Sequence, residues 1–85
     1  MISKQIFEEL GYTYQYVDNK NINCEDTIIY THKEIGVVIQ FNLSSQCVVF
    51  QCKNNAKDYD KIAIFMTKEL IGAIYTQIKE LGWNK

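Results

Sequence analysis

The hydrophobic period of this chain changes twice, and those changes limit the folds open to it. In segment 3–10, Ile6, Phe7 and Leu10 share one side, with Lys4, Gln5, Glu8 and Glu9 opposite. That spacing predicts a short amphipathic helix, with Ser3 as its N-cap. From residue 12 the period drops to two, the signature of half-buried strands. "YTYQYV" sets Tyr12, Tyr14 and Tyr16 against Thr13, Gln15 and Val17. "TIIYTH" sets Ile28, Tyr30 and His32 against Thr27, Ile29 and Thr31. "VVIQFNL" sets Val37, Ile39, Phe41 and Leu43 against Val38, Gln40 and Asn42, and "CVVFQC" sets Val48, Phe50 and Cys52 against Cys47, Val49 and Gln51. Over 68–81 the helical period returns, carried by Leu70, Ile71, Ile74, Tyr75, Ile78 and Leu81. Thr67 is placed to cap that helix, and Glu69 in its first turn suits the positive end of the helix dipole.

The connections between the alternating runs are short, so consecutive strands pair antiparallel as a meander. Gly36 in "HKEIG" can supply the positive φ of a bulged turn, and Ser44-Ser45 marks the next reversal. "KIAIFM" at 61–66 reads as a fifth, edge strand running into the last helix, the alternative being an early helical turn, and 18–26 and 53–60 read as polar loops. The expected fold class is α+β in the order α-β-β-β-β-(β)-α, with both helices covering one face of an antiparallel sheet. At 85 residues, 47% of them apolar, the chain suffices for one domain spanning 1–85 with a single core.

"IFEELGY" and "QIKELGW" rhyme, each running from a helical stretch into Leu-Gly-aromatic. A glycine at C′ in the left-handed conformation, followed by a C″ residue packing back on C3, ends a helix in this way. Gly11 then pairs with Tyr12 over Phe7, and Gly82 with Trp83 over Ile78. The rhyme is read as two glycine-capped helix ends and not as a duplication.

Net charge is −1, so no strong field attracts nucleic acid or an anionic membrane. All nine basic residues are lysines, and without arginine the fork that grips phosphate and guanine bidentately is missing. Nucleic acid is therefore an unfavoured partner. Cys24, Cys47 and Cys52 are odd in number and form no C-x-x-C, as expected of reduced thiols in a cytoplasmic protein. The opening residues lack the apolar run of a signal peptide, and no stretch reaches the roughly 20 apolar residues of a membrane helix.

Motifs for chemistry are lacking. No glycine-rich phosphate loop occurs, and the single histidine, His32, belongs to no nucleophile motif. Cys47 and Cys52 fall on opposite faces of one strand and cannot share a zinc ion. The expectation is a non-enzyme with no catalytic residues, no metal and no cofactor.

Binding surfaces are better candidates. The outer sheet face displays Val17, Ile29, Val38, Gln40, Val49 and Gln51, flat and weakly polar, and Trp83 can extend it. These are the candidate partner-binding residues. An alternative is a ligand site for a nucleotide, built from Tyr16 and the loop residues Asn54, Asn55, Asp58 and Tyr59. Of the three alternating tyrosines, Tyr16 is expected to be the most exposed. Gly72, Ala73 and Thr76 are small and lie off the apolar stripe of the last helix, where a close neighbour would rationalise the glycine. A homodimer through the outer sheet face or an edge strand is compatible with this layout.

"IFEELGYTYQY", "DTIIYTHKEIGVVIQF" and "MTKELIGAIYTQIKELGW" together resemble a loose group of small proteins encoded by phages and prophages of low-GC Gram-positive bacteria. Leu70, Ala73, Ile74, Gln77, Leu81, Gly82 and Trp83 carry the closing part of the resemblance. The third and fourth strands depart from the group in carrying few charges. The resemblance implies an accessory phage protein in the host cell cytoplasm that binds a host or phage protein, inhibition of host defence being one such role.

Overall fold

The computed structural model describes residues 2–19, 25–52 and 67–83. Their order is α1 (Ile2–Glu9), β1 (Thr13–Val17), β2 (Thr27–His32), β3 (Val37–Asn42), β4 (Cys47–Cys52) and α2 (Lys68–Glu80). The strands form one antiparallel sheet in the order β1-β2-β3-β4. The fold is α+β, helix then meander then helix. The expected fifth strand at 61–66 lies outside the described residues.

Register follows the alternation. Tyr14 lies opposite Tyr30, Tyr30 opposite Ile39, and Ile39 opposite Phe50. One face of the sheet thus carries the large apolar side chains, and Phe7, Leu70 and Ala73 of the helices join it in the core with Ile28, Tyr30, Val37, Ile39 and Phe41. The centre is aromatic. Phe7 stacks on Tyr30 at 3.8 Å between centroids, and Phe41 meets both rings edge-on, at 6.2 and 6.0 Å. Such pairs add roughly 0.5–1.5 kcal/mol each beyond the area they bury.

Both hairpins between long strands use four-residue loops closed by a left-handed fourth residue. Gly36, at φ 69°, donates its N–H to the His32 carbonyl at 2.9 Å. Gln46, at φ 57°, donates to the Asn42 carbonyl at 2.9 Å. Gln46 therefore occupies a conformation that favours glycine. Glu25 steadies the second turn, its carboxylate accepting from the Ser44 and Ser45 backbone N–H groups at 2.9 and 2.8 Å. The Ser45 N–H leads in holding this carboxyl below the ordinary carboxylate range.

The two helix ends are glycine caps of one kind. In α1, Tyr12 N–H reaches the Phe7 carbonyl at 3.0 Å and Gly11 N–H the Glu8 carbonyl at 3.1 Å, with Gly11 at φ 96°. In α2, Trp83 N–H reaches Ile78 at 3.2 Å and Gly82 N–H reaches Lys79 at 3.0 Å, with Gly82 at φ 76°. These are the two crossed bonds of the Schellman motif. Tyr12 then sets its ring edge-on against Phe7 at 5.6 Å, and Trp83 leans on Phe41 at 6.3 Å.

The start of α1 differs from the expectation. Ser3 does not cap it; the helix begins at Ile2, and Ser3 is fully buried inside it. The cap comes from the other end of the chain. The Glu80 carboxylate accepts from Ile2 N–H at 2.9 Å and Ser3 N–H at 3.2 Å, and also contacts the Ser3 hydroxyl. A carboxylate at a helix N-terminus satisfies orphan donors and the dipole together. The Ser3 hydroxyl, first among these groups, holds the Glu80 carboxyl below its ordinary range. Beneath this contact lies Gln77, fully buried, whose Oε1 accepts from Tyr30 Oη at 2.6 Å and is 3.0 Å from Ser3 Oγ. The single Ser3 hydroxyl proton serves either Gln77 or Glu80 at one time. Burial pushes the Tyr30 phenol up to about 12. This network ties α1, β2 and α2 together through polar groups.

Candidate functional site

The outer sheet face is built as expected in register but is less open. Gln15, Ile29, Gln40 and Val49 line up across it, with Val38 one row away between Thr31 and Gln51. Val38, expected to be displayed, is only 5% exposed. It lies on the interior strand β3, with a neighbouring strand on each side. Val17, Ile29, Gln40 and Val49 are half-buried and Gln51 is exposed. Gln40 Nε2 donates to Asn42 Oδ1 at 2.7 Å, which engages part of its polar surface within the sheet. Trp83 is half-buried against the core.

Tyr16 is 48% exposed, the most open of the three alternating tyrosines, while Tyr12 is buried. The Tyr16 hydroxyl donates to Asp26 Oδ2 at 2.9 Å, and that bond raises its pKa. Asn54, Asn55, Asp58 and Tyr59 of the ligand alternative lie outside the described residues, as does Cys24.

Sequence periodicity missed a surface on α2. Leu70, Ala73 and Gln77 form its buried face, whereas Ile71 and Tyr75, counted in the apolar stripe, are each 53% exposed. The stripe is broader than the contact it makes, because a helix packed on a sheet through 70, 73 and 77 turns 71 and 75 outward. Lys68 and Lys79 stand at either end of this pair, at the helical spacing 68, 71, 75, 79. Lys79 Nζ is 5.5 Å from the centroid of the Tyr75 ring. Gly72 lies beside them, exposed, and a Cβ there would meet nothing within 4 Å. Among the described residues no packing explains this glycine.

The second feature is a cleft of about 180 Å³ where the end of α1, the β2–β3 turn and the start of α2 meet. Leu10, Tyr12, Ile35 and Leu70 give it an apolar lining, and His32 and Thr67 add polar atoms. His32 also lines a neighbouring cleft of about 220 Å³ with Gly11, Thr13, Lys33 and Glu34. The imidazole is set edge-on to Tyr12, 5.1 Å between centroids. Its Nδ1 is buried and meets no hydrogen-bond partner among the described residues. A buried unpaired nitrogen costs about 1–3 kcal/mol. Gly11 gives the ring its room, since a Cβ at Gly11 would lie 2.6 Å from His32 Nε2. The sequence signal for this clearance was only the pairing of a sole histidine with a glycine that already had a capping role.

Ser44, Ser45 and Cys47 do not join His32, whereas Cys52 stands in its sheet row two strands away, across Val37, and Thr67 lines the same cleft. Ser44, Ser45 and Cys47 lie at the β3–β4 turn, whereas His32 lies at the β2–β3 turn, with the six-residue β3 between the two turns. That separation is about 17–20 Å. Among the described residues no group of three His, Cys, Asp or Glu side chains is placed to hold a metal ion. None of the described helices is long and apolar enough to cross a membrane.

Comparison with protein-family models, with curated proteins and with solved structures finds no match for this chain.

Proposed function

We propose that this chain is a non-enzymatic protein-binding module, an accessory protein of phage or prophage origin that acts in the host cytoplasm by covering a surface of a host or phage protein. One observation carries the binding surface: Ile71 and Tyr75 stand one turn apart on α2, each 53% exposed, between Lys68 and Lys79. Tyrosine and apolar side chains half open to water on one helix face are common anchors of an interface. The two lysines define the partner as an apolar patch rimmed by carboxylates, because charge complementarity sets register and orientation. Gly72 lets such a partner approach the helix backbone closely. The resemblance in the closing helix supports the phage context, and inhibition of a host defence factor fits a small protein that works by occupying a surface.

The test is quantitative capture from a low-GC Gram-positive host with the wild-type chain and Ile71→Asp, followed by direct binding to the purified partner. A one-to-one complex that Ile71→Asp weakens at least about tenfold, a loss on the order of 1.4 kcal/mol, supports the reading. A purified partner bound equally by the folded variant refutes the surface. The cleft beside His32 favours a second reading, small-molecule binding.

A further inference from the structure

We infer that β1 is a pairing edge through which two copies of this chain join their sheets, antiparallel and about a two-fold axis at Gln15. The pairing stands independently of the α2 surface. β1 ends the sheet order β1-β2-β3-β4, and among the described residues no strand pairs its outer side. Thr13, Gln15 and Tyr16 are exposed along it. Edge strands are ordinarily blunted by a charge, a proline or a bulge. β1 carries none of these. "TYQYV" is uncharged and rich in strand formers, and its five residues pair β2 one for one.

Charge selects a second copy as the occupant. Antiparallel pairing centred on Gln15 engages the whole strand, with Thr13 opposite Val17 and Tyr14 opposite Tyr16 of the second copy. Directly opposite side chains share a face, so Tyr14 stands beside the second copy's Tyr16. Lys4 Nζ lies 4.8 Å from the centroid of the Tyr14 ring. The Tyr16 hydroxyl donates to Asp26 Oδ2 at 2.9 Å. The seam therefore turns the Lys4 cation of one copy toward the Tyr16 ring and the Asp26 carboxylate of the other, and the two-fold repeats that match. Asp18, exposed just beyond β1, falls opposite Tyr12 and not opposite another acid. The edge thus complements itself. A contact of this isologous kind uses up the edge and closes at two copies.

One strand pair is smaller than a standard interface, so the dimer is weak, with Kd about 100 µM. Sedimentation equilibrium of the full chain from about 10 µM to about 1 mM reads it, and the Thr13–Val17 amide resonances should shift along the same concentration curve. Gln15→Lys sets like charges opposite each other at the axis and weakens the dimer about fivefold, and Lys4→Glu does so by at least as much. Val49→Lys lies on the same outer face as Gln15 but away from β1, and leaves the dimer intact. A monomer throughout that range, a dimer whose β1 amides do not respond, an unchanged Kd in folded Gln15→Lys, or a dimer lost in folded Val49→Lys would each overturn the assignment.

Discussion

Gln77→Met is the sharpest perturbation of this fold. Methionine nearly matches glutamine in volume, so the substitution removes hydrogen bonding while leaving little cavity. Gln77 is fully buried, and its Oε1 accepts from Tyr30 Oη at 2.6 Å and from Ser3 Oγ at 3.0 Å. The Ser3 hydroxyl can turn wholly to Glu80, so most of the penalty falls on the buried Tyr30 hydroxyl, which loses its Gln77 acceptor and keeps only its contact with Ser3. Taking the better acceptor from such a buried group costs about 1–3 kcal/mol, toward the lower end where Ser3 Oγ accepts the proton instead. Total stability is on the order of 4–13 kcal/mol for a chain of this length, so the loss is large. At about 4–8 °C per kcal/mol, Tm falls by roughly 5–20 °C. Urea unfolding followed by circular dichroism measures it, and the double-mutant cycle with Tyr30→Phe isolates the pair. Phenylalanine removes the stranded donor, so the double variant recovers part of the loss, with a coupling energy of about 1 kcal/mol. A Gln77→Met variant within about 0.5 kcal/mol of wild type, or strictly additive substitutions, would refute the claim that this network fastens the helices to the sheet.

The other expectations concern helix ends, turns and pH. Trp83→Ala removes a ring packed on Phe41 and lowers stability by about 1–3 kcal/mol in the same urea assay. Gln46→Gly relieves a left-handed φ of 57° and should raise the urea midpoint, by up to about 1 kcal/mol of stability once the extra freedom of the unfolded glycine is offset. Gly11→Ala acts oppositely. At φ 96°, with His32 Nε2 2.6 Å from the new Cβ, it lowers the midpoint and shifts the His32 resonances. Glu80 and Glu25 have folded pKa values below their unfolded ones. Their stabilisation is therefore complete above the ordinary carboxylate range of about 4.3 and is lost as pH falls through the depressed values. Urea midpoints across an acid series should drop over that window, and Glu80→Gln should flatten the drop.

Much of the fold was legible because its signals are local. Alternation set all four described strands and their faces, since a one-residue slip would have turned Ile28, Tyr30, Ile39 and Phe41 to the other side. The Leu-Gly-aromatic endings specified both glycine caps, whose geometry uses only neighbouring residues. What was not legible depends on partners distant in sequence. Ser3 has the right identity for an N-cap, yet Glu80 does the capping, and nothing in a local window brings residue 80 to residue 3. Gln77 looks like a polar helix position until Tyr30 and Ser3 arrive beside it. On the binding side, the apolar count of α2 could not say which of Ile71, Ile74, Tyr75 and Ile78 would face outward, because that depends on how the helix rolls against the sheet. Val38 was placed on the correct face but given too much exposure for the same kind of reason. The His32 cleft joins three chain segments, and sequence reasoning noted its histidine only as the end of a strand.

The central claim is that the exposed face of α2 is what this protein uses to bind. A photo-crosslinking residue placed singly at Ile71, at Tyr75 and, for contrast, at Gln15 and Val49 of the outer sheet face tests it most directly, in a low-GC Gram-positive host. The account predicts one common protein joined to the chain from positions 71 and 75, carrying carboxylates around an apolar patch, which binds the purified wild-type chain and loses affinity for Ile71→Asp. Crosslinks that form from positions 15 and 49 while 71 and 75 stay silent would contradict it.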